Sequence, residues 1–417
     1  MRRWIAPVAS EPVTAQVSVP GSKSATARLL VLAALADAPS VLSGVLDARD
    51  SRLMRAGLEA LGVRIEDVGP ATVRVSPPAG FVAGRIDCGL AGTVMRFLPP
   101  VAALASGRSE FVGDAAASDR PVRPLLDALR QAGVRVSGDA LPFAVEGAGH
   151  VRGGDVVLDA SGSSQFVSAL LIAGARFDEG LAIAHRGAPI PSRPYLGMTV
   201  GMLRDRGVVI DEPDADTWVV HPGPLAARDE AIEPDLMNAA AFLCAGLVTG
   251  GRVSTAWPER TLQAADGVLA ALEAFGASVE REPGRVTVSG DGVRGADIDL
   301  APVAELTCVL AAVACLADGP SRLRGVGHIR GHETDRLAAL ASELTGLGAD
   351  VRETADGLTI VPGRLSGGAF RTYGDHRMAH AAAVIGLAVP GVELDDVDCT
   401  TKTMPDFGGL WTSMVGA

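Results

Sequence analysis

Six short polar segments, each opening an almost wholly apolar run, hold most of the residues in this chain that could do acid–base or anion chemistry. They are Pro20-Gly21-Ser22-Lys23-Ser24, Ala91-Gly92-Thr93, Ser161-Gly162-Ser163-Ser164-Gln165, Asp235 to Asn238, Glu305, and Gly374-Asp375-His376-Arg377. If each run is a helix, its start offers unpaired N–H groups and about half a positive charge, which attracts phosphate or carboxylate. A lone Ser or Thr at such a place is most often an N-cap. Lys23, Arg28 and Arg377 resist that explanation, because a cation beside a helix N-terminus is unfavourable unless an anion lies between them. Arg120, Arg336 and Lys402 stand in loops beside other helix starts or strand ends. Taken singly each is a surface charge; taken together the six read as anion ligands.

The elements that must position these residues repeat along the chain. The apolar runs begin near Ser24, Thr93, Ser164, Asn238, Glu305 and Asp375, at spacings of 69, 71, 74, 67 and 70 residues. A helix apolar all round is buried on all sides. Between them lie five amphipathic patterns that close on Gly62, Gly133, Gly207, Gly276 and Gly348, spaced by 71, 74, 69 and 72 residues, each followed by a strand starting with Val or Ala. The implied unit is strand, buried helix, strand, surface helix, strands, repeated six times. Six units of about 70 residues exceed one core, whereas three per core give two domains of ordinary size. The expected division is residues 20–233 for one lobe and 234–417 with 1–19 for the other, with the N-terminal strand completing the last unit. Helices running parallel in each lobe would aim their starts at one interdomain cleft.

Composition bounds the function. The 417 residues are 48% hydrophobic, enough for real cores, and carry 37 Lys and Arg against 49 Asp and Glu, a net charge of −12. A negative chain with 4% aromatic residues does not grip nucleic acid or anionic lipid through its overall field or through stacked rings. Anions must therefore be bound locally. Five cysteines without CxxC spacing exclude a disulfide framework and a zinc ribbon. The apolar runs stop well short of a membrane span, so a cytoplasmic protein is expected.

In chain order, PGSKS at Pro20 to Ser24, AGT at Ala91 to Thr93, RP at Arg120-Pro121, SGSSQF at Ser161 to Phe166, SRPY at Ser192 to Tyr195, HETDR at His332 to Arg336, GDHRMA at Gly374 to Ala379 and KTMPDF at Lys402 to Phe407 together resemble the EPSP synthase family of enolpyruvyl transferases. The resemblance implies an α/β fold of two domains, each of three βαβαββ units with buried parallel helices pointing to an interdomain cleft. It implies transfer of the enolpyruvyl group of phosphoenolpyruvate to the 5-hydroxyl of shikimate 3-phosphate. No metal and no organic cofactor is implied, and a monomer is expected. Shikimate 3-phosphate would meet Lys23, Ser24, Arg28, Ser163, Ser164, Gln165, Ser192, Tyr195, Glu305 and His332. Phosphoenolpyruvate would meet Lys23, Gly92, Arg120, Gln165, Arg336, Arg377 and Lys402. Glu305 matches the acid/base position near the 5-hydroxyl, where many relatives carry Asp, and Glu333 and Lys23 are the candidate proton donors to carbon. His332 and Asp375 are expected to support the site, and His376 to orient Arg377.

Two positions depart from the family pattern. Ala27 stands where the first motif usually carries an amide, and Met237 where the fourth helix usually carries a small hydroxyl residue. They leave open a paralogue acting on a related ring. A sugar-nucleotide transferase of the same architecture would carry a cysteine near Arg120, and Leu104 to Leu125 contains none. An RNA 3′-phosphate cyclase has no role for the PGSKS, AGT and HETDR set. A catalytically silent anion binder has no need of Glu305 and Glu333 beside six cations.

Overall fold

The computed structural model describes residues 2–416. The chain divides into two compact units, Gly21–Glu233 and Met1–Pro20 with Pro234–Ala417, each with its own hydrophobic core. The helices are α1 (Lys23–Leu35), α2 (Arg49–Ala60), α3 (Gly92–Ala102), α4 (Arg123–Gln131), α5 (Gln165–Gly174), α6 (Pro194–Arg204), α7 (Leu236–Thr249), α8 (Ala265–Ala274), α9 (Thr307–Cys315), α10 (Arg336–Gly346), α11 (His376–Gly386) and α12 (Phe407–Val415).

The six apolar runs are α1, α3, α5, α7, α9 and α11. Every residue of α3, α9 and α11 is buried, as are Ala25–Leu35, Phe166–Gly174 and Leu236–Leu247 of the other three. In the first unit α1, α3 and α5 pack on one another, and in the second α7, α9 and α11 do. The amphipathic helices α2, α4, α6, α8 and α10 lie outside them, each with one buried face. Gly62, Gly133, Gly207, Gly276 and Gly348 follow five of these ends with φ between +79° and +111°. That left-handed backbone costs a residue with a Cβ about 1–2 kcal/mol, so glycine closes each helix.

Five four-stranded sheets share one plan. A lead strand runs parallel to the strand after the buried helix, and a hairpin after the surface helix adds two antiparallel strands. In the second, third and fifth repeats the lead strand directly precedes its helix: Arg85–Asp87, Gly154–Leu158 and Asp297–Asp299. In the first and fourth it does not. Ser40–Ser43, after α1, takes Glu230–Ala231 as its parallel neighbour, while Arg252–Ala256, after α7, takes Thr14–Val17. The strand from the N-terminus thus completes the fourth repeat. Only the two residues Trp4–Ile5 join the last, antiparallel to Val392–Leu394. Among the described residues the last repeat has no hairpin, and α12 follows its parallel strand, burying Phe407, Trp411 and Met414 at helical spacing. No helix among the described residues is long and apolar enough to cross a membrane.

Candidate active site

In the unit Gly21–Glu233, the polar residues gather where α1, α3 and α5 begin. The Ser22 hydroxyl caps α1 by accepting from Ala25 N, and Lys23 Nζ lies 3.4 Å from Asp50 Oδ2, a carboxylate only 3% exposed. Arg28, one turn on, is 2% exposed. Its Nε donates to Thr199 Oγ1 (2.8 Å), Nη1 to the Ser24 carbonyl (3.0 Å), and Nη2 to Ser168 Oγ and the Tyr195 carbonyl (3.3 Å each). The guanidinium lies over the Phe97 and Tyr195 rings at 5.2 and 5.7 Å. Burial pushes its pKa down to about 10, which leaves it charged at neutral pH. A guanidinium has five N–H donors, so one remains for a ligand. Arg28 is therefore first a brace tying Ser24 and Tyr195 together.

Ser163 Oγ accepts from Gln165 N at 3.2 Å, Ser164 is buried, and Ser192 adopts φ +51°, a left-handed turn that costs a non-glycine residue energy. Arg120 Nη1 donates to the Leu90 carbonyl at 2.8 Å, and its Nε is buried without a hydrogen bond. A Cβ at Gly92 would stand 2.8 Å from Arg120 Nη2, so glycine leaves the space the guanidinium uses. Two residues here were not foreseen. Arg96 is a buried cation in the otherwise apolar α3, a signal in itself because an unpaired buried charge is costly. Asp50 lies in the first turn of the surface helix α2, where an acidic residue is favoured by the helix dipole and so gives no signal of its own.

In the other unit, Glu305, His332, Glu333, Arg336, Arg377 and Lys402 come together. Arg336 is 2% exposed and gives Nε and Nη2 to Asp375 at 2.7 and 3.1 Å, Nη2 to Glu333 at 2.9 Å and Nη1 to His332 Nδ1 at 3.0 Å. Burial opposes its charge, but Asp375 and Glu333 outweigh that and hold the pKa above the ordinary arginine value. Glu333 also pairs with Lys402, itself 4% exposed. Arg377 Nη1 donates to the Met237 carbonyl and to Asn238 Oδ1, both at 3.1 Å, and Nη2 lies 3.8 Å from Glu305 Oε2. The start of α7 therefore orients Arg377; His376 makes no hydrogen bond to it among the described residues. Met237 acts through its backbone, so the unusual side chain there does not enter this contact. Glu305 lies in a short 3-10 turn, Ala301–Leu306, ahead of α9 rather than in the helix.

A sequence model of EPSP synthase (3-phosphoshikimate 1-carboxyvinyltransferase) matches residues 8–411. The chain belongs to the EPSP synthase family. Its fold matches two EPSP synthase structures from Acinetobacter baumannii. One has a TM-score of 0.82 at 24% identity, covering 99% of this chain and 98% of the other; the second has 0.81 at 23%, with the same coverage. It also matches the enolpyruvyl transferase NikO from Streptomyces tendae at 0.76 and 19% identity, covering 98% and 96%. As a member of the EPSP synthase family the chain is a transferase with the mixed α/β architecture described above.

Three imidazoles of the unit containing Pro234–Ala417 are held neutral at pH 7. Burial first, and Arg336 second, push His332 down to about 3; burial, then Arg377, hold His376 and His380 well below 6.5. An unfolded histidine binds its proton near pH 6.5. Between that value and the folded one the unfolded chain holds more protons, so stability is full above pH 6.5 and falls as the pH drops below it. Melting scans from pH 8 to pH 4 should show a steady decline starting near 6.5. His380→Leu should flatten it, because both His380 nitrogens are buried without hydrogen bonds. A melting point independent of pH over that range would contradict the assignment.

Proposed function

We propose that this protein transfers the enolpyruvyl group of phosphoenolpyruvate to the 5-hydroxyl of shikimate 3-phosphate and releases inorganic phosphate. The observation that carries the reading is the cluster in the unit containing Pro234–Ala417, where Arg336, Arg377 and Lys402 are anchored beside the carboxylates Glu305 and Glu333. Phosphate monoesters carry about −1.5 to −2 each. With two carboxylates the substrates total about −5 to −6, a charge that calls for several cations. Arginine suits such groups because its planar fork donates paired hydrogen bonds.

In this reading Glu305 accepts the proton of the attacking hydroxyl, and Glu333 or Lys23 delivers a proton to the methylene carbon. The oxygen adds to the central carbon of phosphoenolpyruvate, giving a tetrahedral ketal phosphate. Loss of a methyl proton and departure of phosphate then regenerate the double bond on the new ether. The cations stabilise the charge on the leaving phosphate. The protein is proposed to act as a cytoplasmic monomer without metal or organic cofactor.

Phosphate release from phosphoenolpyruvate should depend on added shikimate 3-phosphate; folded protein that releases none with that acceptor would overturn the assignment. A second reading, transfer to another ring acceptor, is favoured by Ala27, which stands where the first motif usually carries an amide. Release with a different hydroxylated ring would establish it. Glyphosate should inhibit competitively with phosphoenolpyruvate, and indifference to millimolar glyphosate would argue against this reading of the site. Gly92→Ala should raise KM for phosphoenolpyruvate roughly ten- to a hundredfold, because the methyl group displaces Arg120 by a fraction of an ångström or more. Steady-state kinetics with the acceptor saturating checks it.

A further inference from the structure

We infer that Arg96 is a positioning residue that fixes the Gln165 side chain with its amide N–H groups turned toward the ligand, making Gln165 a donor. The inference rests on the proposed function only in taking the start of α5 as an anion site. Arg96 lies one turn into α3 and is 4% exposed. Its Nε and Nη2 donate to the Pro121 carbonyl at 3.2 and 3.0 Å, its Nη1 donates to Gln165 Oε1 at 2.9 Å, and its guanidinium lies over the Phe166 ring at 5.2 Å. One planar group thus keys the loop after Arg120 and the start of α5 to the helix that begins at Gly92.

The chemistry of the partners leaves one amide orientation. A guanidinium has donors and no acceptor, so the oxygen of Gln165 must face Arg96 and the NH₂ must face away. Gln165 Nε2 makes no hydrogen bond among the described residues, and Gln165 is only half-buried. Gln165 is also the first residue of α5, and its own backbone N–H is already given to Ser163 Oγ, which leaves the side-chain amide as its free donor. The Gln165 NH₂ is a donor on both of its hydrogens, which suits a phosphate or carboxylate oxygen. Lysine could not replace Arg96, since a single ammonium on a flexible stem does not hold the Pro121 carbonyl and the Gln165 oxygen in one plane.

The test is calorimetric binding of phosphoenolpyruvate, shikimate 3-phosphate and inorganic phosphate to the full chain. Gln165→Glu should melt at or above the wild-type temperature, because its carboxylate accepts a charge-assisted bond from Arg96. It should nonetheless bind the anions ten- to a hundredfold more weakly, on the order of one lost bond to a charged group. Arg96→Lys should weaken binding about tenfold, and in a Gln165→Met background the same change should cost much less, as expected when one residue acts through the other. Undiminished binding by Gln165→Glu would overturn the donor role. An Arg96→Lys effect of equal size in both backgrounds would overturn the positioning role. Wild-type protein that bound none of the three probes would sink the anion-site reading itself, a result distinct from both.

Discussion

Glu305→Gln is expected to lower kcat by about 10²–10⁴-fold, the usual contribution of a positioned general base, while leaving affinity for the phosphorylated acceptor nearly unchanged. The amide keeps the shape of the side chain in its 3-10 turn and can still hydrogen-bond, but it cannot take a proton. Arg377, 3.8 Å away, retains its bonds to the Met237 carbonyl and to Asn238, so the cation stays in place. Single-turnover phosphate release and equilibrium binding measured on the same preparation separate the two effects. An equal loss in acceptor binding would make Glu305 a structural residue.

Asp375→Ala should be the most damaging single change to stability. Asp375 is fully buried, accepts two bonds from Arg336 and caps α11 by accepting from Arg377 N at 2.9 Å. Removing one partner of a buried pair leaves the other charge uncompensated, at a cost of about 3–5 kcal/mol, and the lost cap adds about 1 kcal/mol. Glu333 remains as a partner for Arg336, but it also serves Lys402 and cannot neutralise both. Urea unfolding should show the transition of the unit containing Pro234–Ala417 moved to markedly lower denaturant, and turnover should vanish with it. An unchanged midpoint would mean that Arg336 is compensated elsewhere.

Much of this architecture is legible in the amino-acid sequence. A wholly apolar run such as that after Thr307 is buried on all sides for any fold that keeps it helical, and a glycine such as Gly348 closes a helix for a steric reason local to the chain. The swapped lead strands were not legible. Thr14–Val17 and Glu230–Ala231 carry no mark of their partners, because strand pairing between distant segments is decided by which edge each can reach. The terminal α12 went unseen because its apolar positions are broken by Gly408 and Gly409 and no hairpin follows. Among the cations, residue types at helix starts pointed to Lys23, Arg28 and Arg377, yet not to how they are held. Arg28 spends most of its donors on Ser168, Thr199 and two carbonyls from three separate helices, a demand that only tertiary packing reveals.

The exchange of lead strands sets an order on synthesis. The segment Gly21–Glu233 carries its own edge strand at its far end and can close on itself as soon as it leaves the ribosome. Thr14–Val17 is made first but has nothing to pair with until Arg252–Ala256 emerges, and Trp4–Ile5 waits longer still, for Val392–Leu394. Nascent chains should therefore carry an orphan N-terminal tail through most of translation, and trimming that tail should leave the later-made unit with open β edges prone to self-association.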